Sequence, residues 1–281
     1  IVHGRRRLTF GQLAPEAVGY DPPPRPQLRP EPARERPASA RAGGKLAYPR
    51  LDLPSKADGS HLFAGDVRLP GMVHAAIAHG PVGDSRLAEF DSKAASGLPG
   101  LVGVVRHKRW LAAVASDWWA ADRALAAMAP RFAVREAADS TAIEAALDTA
   151  IRTGEGTRIH AAGDPAGAFA SRPSLAMRYD VMPAIHAALE TATATARLAD
   201  GRLELWVASQ APQALRRAAA EALGLGEGDV VLYPMPAGGS FDARLEHTHA
   251  IEAAIIAREM KRPVQLRWSR WQEHLAGLPR T

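Results

Sequence analysis

The sequence predicts an α/β or α+β protein, and three observations carry that prediction. Short runs of strand-like character alternate along the chain with longer stretches whose apolar residues recur at helical spacing. Hydrophobic residues make up 47% of the 281 residues but aromatics only 6%, so a real core exists and small and aliphatic side chains must fill it. No run of about 18 uninterrupted apolar residues occurs, so no segment reads as a membrane-spanning helix.

Taken in order, Arg7–Leu13 reads as a short strand turning into a helix, with Thr9 able to cap the amides that follow. From Tyr20 to Gly44 seven prolines remove backbone donors and favour extended conformations, which predicts a linker or a strap over residues 1–45. Most of the excess behind the net charge of +5 sits here, in Arg5, Arg6, Arg7, Arg25, Arg29, Arg34, Arg36 and Arg41. A basic arm can hold nucleic acid by releasing counterions from phosphates. These arginines alternate with prolines and lack interleaved aromatics, so a solvated linker is the reading and nucleic acid is not an expected partner.

A compact unit is expected over residues 46–135. Strands are predicted at His61–Leu69, Met72–His79, Leu101–His107 and Trp110–Ala115, and helices at Ser85–Ser96 and Asp117–Met128. Leu69-Pro70-Gly71 is a turn signal between the first two strands. A second α/β unit is expected over residues 136–281. It opens with an amphipathic helix at residues 139–153, capped by Ser140 and stopped by Gly154. Strands follow at Met177–Met182, Thr191–Leu198, Arg202–Ser209, Asp229–Tyr233 and Val264–Trp268, with helices at Pro212–Leu223 and Leu245–Met260. Asp200-Gly201 supplies positive φ cheaply between two alternating runs and predicts a hairpin.

The sequence has no cysteine, which excludes disulfides, zinc-thiolate sites and iron-sulfur clusters within it. It begins at Ile1 without a charged-then-apolar leader, so a preceding segment is expected to be missing. Nucleophile elbows of the Gly-x-Ser-x-Gly type and phosphate loops ending in Gly-Lys-Ser/Thr are absent.

The sharpest local feature is the run Pro236–Leu245, PAGGSFDARL, between a predicted strand and a predicted helix. Its glycines let backbone approach a ligand, and amides at a helix start attract an anion. Alone, a Gly-Gly pair is more often just a tight turn. Glu246-x-x-His249 has the spacing of a di-iron ligand pair but lacks the second copy and facing glutamates such a site needs. His247 and His249 point to different faces of a helix, so they do not form a joint metal site. Trp118-Trp119 reads first as half-buried packing, and His74 and His79, on a core strand, read as structural.

Motif order adds to this. Along the chain the stretches PRLDLPSKADGSHLFAGDVRLPGMVHAAI, RLELWVASQAPQALRRAAAEALGL and AGGSFDARLEHTHAIEAAIIAREMKRPVQLRWSR resemble, in the same order, segments of the molybdenum hydroxylase large subunits. The family is that of xanthine dehydrogenase and aldehyde oxidase, in its isoquinoline oxidoreductase branch, and the resemblance covers about residues 46 to 270. It implies a hammerhead-like α/β domain at 46–135, followed by the first part of a molybdopterin-binding α/β domain at 136–281, in an internal fragment.

The resemblance further implies that Gly238, Gly239, Ser240 and Phe241 contact a molybdenum-pterin cofactor, in its cytosine dinucleotide form. Gln210 would lie beside the metal's oxo ligand. The implied chemistry is hydroxylation of an aldehyde or N-heterocycle with oxygen from water, with electrons passing to a small iron-sulfur subunit. The catalytic glutamate lies in a segment outside this sequence, so no catalytic residue and no protein metal ligand is assigned here. The fragment alone is expected to be inactive. Members of this branch are commonly exported, which implies a periplasmic location. Departures are Ser240 for the loop's third glycine, Asp242 for the glycine after the phenylalanine, and Glu190-Thr191 for Glu-Pro. The Asp242 carboxylate would repel a phosphate at the same helix start. These changes favour the alternative of a non-catalytic scaffold with the same fold.

Overall fold

The computed structural model describes residues 2–21, 23–25, 27, 50–135, 139–154, 156–157, 159–160, 162–171 and 173–279. The chain forms two units, one up to His61 and one from Leu62 onward. Most of the proline-rich linker, with Arg29, Arg34, Arg36 and Arg41, lies outside the described residues.

In the first unit β1 (Val2–His3) pairs antiparallel with β2 (Arg6–Arg7), and α1 (Phe10–Ala17) follows. Thr9 caps α1 as expected: its hydroxyl accepts from the Gln12 N–H at 3.2 Å, and the Gln12 side chain accepts from the Thr9 N–H at 2.8 Å. This reciprocal box satisfies donors that the helix start leaves orphaned. A short helix, α2 (Leu53–Asp58), starts with Pro54 in its first turn and stops at Gly59, whose φ of 80° suits a residue without Cβ.

The second unit is built in chain order from β3 (Val73–His79), β4 (Ser85–Glu89), β5 (Leu101–Arg106), β6 (Trp110–Ala115), α3 (Trp118–Ala127), β7 (Arg131–Val134), α4 (Ser140–Thr153), α5 (Pro165–Ala168), β8 (Thr193–Ala199), β9 (Arg202–Val207), α6 (Pro212–Leu223), β10 (Val230–Pro234), α7 (Thr248–Met260), β11 (Val264–Arg267) and α8 (Arg270–Ala276). Seven strands form one mixed sheet in the order β10-β9-β8-β11-β3-β6-β5. This is the α/β architecture the alternation predicts. β11 runs parallel to β3 and antiparallel to β8, with Gln265 opposite both His74 and Thr195. Strands from residues 46–135 and from residues 136–281 therefore share one hydrogen-bonded sheet.

Alternation along the central strands sorts side chains to two faces. Ala75, Ile77, Ala112, Val114, Ala194, Ala196, Leu203, Leu205 and Val207 pack on one face with Leu215 and Ala219 of α6 and Ala250, Ala253, Ala254, Ile256 and Ala257 of α7. Ala76, Ala78, Leu111, Ala113 and Ala115 pack on the other with Ala121, Ala124, Leu125 and Met128. So many alanines bring the helix backbones close to the sheet, and little volume is left for repacking. The Asp200-Gly201 hairpin forms as expected, with φ of 51° and 76°.

Several expected elements differ. His61–Leu69 is not a strand: Ala64–Asp66 is a single 3₁₀ turn. Gln265 holds the stretch over the sheet, donating through Nε2 to the carbonyls of Val67 (3.1 Å) and Ala64 (3.4 Å) and to Thr195 Oγ1 (3.2 Å). The helix expected at Ser85–Ser96 is instead strand β4, paired with β7 and bulged between Leu87 and Glu89. Its apolar spacing suits either period over so few residues, and the partner strand decides. Asp91 then turns the chain, accepting from the amides of Lys93 (2.9 Å) and Ala94 (3.2 Å). Met177–Met182 pairs with no strand among the described residues; Arg178 donates instead to Asp180 (2.7 Å) and Asp148 (2.8 Å). The cap of α4 is Asp139 rather than Ser140, accepting from the Ala142 N–H at 2.8 Å. Helix α8, capped by Ser269, and strand β7 were not expected from the sequence.

Candidate functional site

The loop Pro236–Leu245 leaves β10 at the edge of the sheet, beside the C-terminal end of β9. The Met235 N–H donates to the Val207 carbonyl at 3.0 Å, which aligns the start of the loop with the segment carrying Gln210. The loop then folds sharply, with φ of 108° at Gly239, 52° at Phe241 and 73° at Asp242. Its two glycines are required by the protein's own packing. A Cβ at Gly238 would lie 2.4 Å from Glu190 Cβ, and one at Gly239 would lie 3.0 Å from Ala188 Cβ. Phe241 is exposed.

Glu190 fastens this loop to the turn before β3. One carboxylate oxygen accepts from the Gly65 N–H at 2.9 Å and the other from the Gly238 N–H at 3.1 Å. The Glu190 N–H donates back to the Gly238 carbonyl at 3.0 Å. Arg244 continues the connection, its guanidinium donating to the Glu190 carbonyl at 2.7 Å.

Gln210 meets the loop from the other side. Its backbone N–H donates to the Arg244 carbonyl at 2.9 Å. Its side-chain carbonyl accepts from the Ser240 hydroxyl, and its amide Nε2 donates to Asp242 Oδ1 at 3.4 Å. Ser240 and Asp242, the two departures noted in the loop's sequence, are thus the residues whose side chains meet that of Gln210. The structure brings Gln210, Gly238, Gly239 and Ser240 together; Phe241 sits on the same loop with its ring outward.

Fit to an anionic cofactor is tested by the donors the loop leaves over. The backbone N–H groups of Gly239, Ser240, Phe241 and Asp242 have no acceptor among the described residues. Successive unengaged amides on a loop with left-handed residues form a concave donor surface for phosphate oxygens. The Asp242 carboxylate works against that attraction, but its side chain is drawn to Gln210. The loop fits an anionic group through its backbone.

A second polar cluster was not apparent in the sequence. Buried Glu252 accepts from Trp268 Nε1 at 2.9 Å and lies 2.7 Å from His79 Nε2. Gln272 Oε1 accepts from the His79 backbone N–H at 2.8 Å and lies 2.9 Å from His79 Nδ1. Since one oxygen faces both His79 groups, Nδ1 carries a proton. Burial pushes the imidazole pKa down, but the Glu252 carboxylate and the two side-chain hydrogen bonds outweigh it, and the pKa is raised. A charged residue on the buried face of α7 was the available signal. Trp118 donates from Nε1 to the Arg267 carbonyl at 3.0 Å, whereas Trp119 is exposed.

Comparison with known proteins shows what the chain is similar to. Residues 151–281 match the molybdopterin cofactor-binding domain. The chain is 28% identical over 241 residues to a nicotinate dehydrogenase subunit of Pseudomonas putida, and 29% identical over 236 residues to the beta subunit of isoquinoline 1-oxidoreductase of Brevundimonas diminuta. The chain is a relative of the molybdopterin-binding subunits of molybdenum hydroxylases. The first match takes in 81% of this chain and 20% of that protein, the second 79% and 30%, so the chain spans under a third of either molybdenum hydroxylase relative. The fold agrees. Quinoline 2-oxidoreductase from Pseudomonas putida 86 superposes with a TM-score of 0.65 at 20% identity, over 83% of this chain and 36% of that one. Aldehyde oxidoreductase from Desulfovibrio gigas gives 0.63 at 17% identity, over 83% and 31%.

Proposed function

We propose that this chain is part of the cofactor-binding subunit of a molybdenum hydroxylase that oxidises aldehydes or N-heterocycles and passes electrons to an iron-sulfur subunit. The observation that carries the reading is the run of four unengaged amides, Gly239 to Asp242, on a loop folded beside Gln210. Those amides would receive the cofactor's phosphate oxygens, and Gln210 would orient the group once its Nε2 leaves Asp242. When bound, the molybdenum-pterin group supplies the oxidation chemistry, inserting oxygen drawn from water. The chain's residues hold and orient it, with Glu190 keeping the loop in register. The cytosine dinucleotide form and a periplasmic location belong to this reading through the isoquinoline oxidoreductase likeness.

The test is metal and pterin analysis of the whole gene product, produced with its neighbouring subunits. Molybdenum and a releasable cytosine nucleotide near one per subunit are expected; a folded subunit lacking both overturns the reading. A specific observation favours the second reading, a scaffold that has lost the site: Ser240 and Asp242 both engage Gln210. Asp242→Gly separates the two. Unchanged, substantial cofactor content, or content that rises in the variant, supports the hydroxylase; content at zero in both proteins supports the scaffold.

A further inference from the structure

The start of α7 opens into a cavity of about 80 Å³ that none of Gln210, Gly238, Gly239, Ser240 or Phe241 lines. Arg244, His249, Thr248, His186, Glu246 and Glu273 contribute its polar walls. Arg244 is 3% exposed and His249 4%. The Arg244 guanidinium donates to one carbonyl, that of Glu190, and forms no ion pair among the described residues. A buried cation with so few acceptors is costly unless something else fills the space beside it. The His249 ring has no hydrogen bond among the described residues. Burial first, then the charge of Arg244 and the neighbouring His247, hold its pKa down to about 3, so the ring is neutral and offers one N–H.

Helix α7 begins at the same place without a side-chain cap. His247 supplies none, and the amides of Thr248 and His249 have no acceptor among the described residues. Thirteen residues of helix put the positive end of the dipole there. Burial holds the Arg244 pKa below its ordinary value, and the nearby Glu273 and Glu190 carboxylates offset that only in part. Glu273 is engaged on both oxygens, by the Ala192 N–H at 2.8 Å and Arg270 at 2.6 Å. Glu246 is exposed at the rim. We propose that this cavity is a binding site for a small oxyanion group, a carboxylate or a phosphate, received by Arg244, the His249 ring and the first amides of α7. The cavity is lined by none of the groups assigned to the cofactor, although Arg244 belongs to the same loop and links the two through the Glu190 carbonyl and the Gln210 N–H.

Calorimetric titration of the full chain with inorganic phosphate and, separately, with acetate at pH 7 and low salt tests this. Saturable one-site binding of at least one anion is expected, and the one that binds identifies the head group. Arg244→Gln should weaken it by about tenfold, the value of one hydrogen bond to a charged group. Should that variant fail to fold, Glu246→Gln still decides: removing an exposed carboxylate from the rim should tighten binding about two- to threefold. The His249 ring resonances should shift with the same saturation curve. No saturable binding of either anion, affinity unchanged in Glu246→Gln, or saturation without a His249 shift overturns the proposal.

Discussion

Removing Glu252 offers the clearest physical test of how this fold is held together. Its carboxylate, 3% exposed, accepts from Trp268 Nε1 and pairs with His79 Nε2 at 2.7 Å. Glu252→Ala leaves an indole N–H and an imidazole N–H facing apolar surroundings. Breaking a buried pair by removing one partner costs about 3–5 kcal/mol. For a unit of this size each kcal/mol lowers Tm by roughly 2–4 °C, so a fall of about 6–20 °C is expected. The loss should depend on pH. Because the pKa of His79 is raised in the folded protein, its stabilising contribution is complete below the ordinary histidine value of about 6.5 and disappears as pH rises through the raised value. Melting followed by circular dichroism from pH 5.5 to 8.5, with His79→Gln as a second variant, measures both effects. The wild type should lose its advantage over His79→Gln as pH climbs. A Glu252→Ala melt within 2 °C of wild type, or an advantage over His79→Gln that grows with pH, would refute the electrostatic reasoning.

Three further outcomes follow from the packing. Gly238→Ala puts a Cβ 2.4 Å from Glu190 Cβ, and since that neighbour is tied to Gly65 and Gly238 it cannot give way freely; a loss of about 1–3 kcal/mol is expected in urea unfolding. Asp242→Gly removes a side chain from a residue with φ of 73°, so the loop should not be destabilised by more than about 1 kcal/mol even though one contact to Gln210 is lost; a drop beyond that would mean that Gln210–Asp242 is structural. Leu205→Ala opens a cavity at a fully buried position on the helix-covered face, with an expected cost of about 2–5 kcal/mol by the same measurement.

Much of the fold was legible because local chemistry and tertiary structure agree at those positions. Thr9 can only serve one geometry when Gln12 stands three residues on, Asp200-Gly201 tolerates the two positive φ values a tight hairpin demands, and Gly224 ends α6 in the left-handed conformation. The runs at 73–79 and 110–115 are strands buried on nearly every residue, and 203–207 alternates buried and half-buried residues, so their character shows without reference to a partner. Strand β4 lacked that advantage. Half exposed and five residues long, it became a strand only because β7 lies beside it.

The composition determined an alanine-rich α/β core and excluded cysteine chemistry, and the order of weak motifs pointed to the molybdenum hydroxylases. Tertiary structure alone decided that β11 enters between β8 and β3, that Glu190 reaches both Gly65 and Gly238, and that Asp242 meets Gln210. The physical reason is range. Capping, turn and periodicity signals act over a few neighbouring residues, whereas these contacts join positions 32 to 191 residues apart, whose meeting depends on the register of the whole sheet.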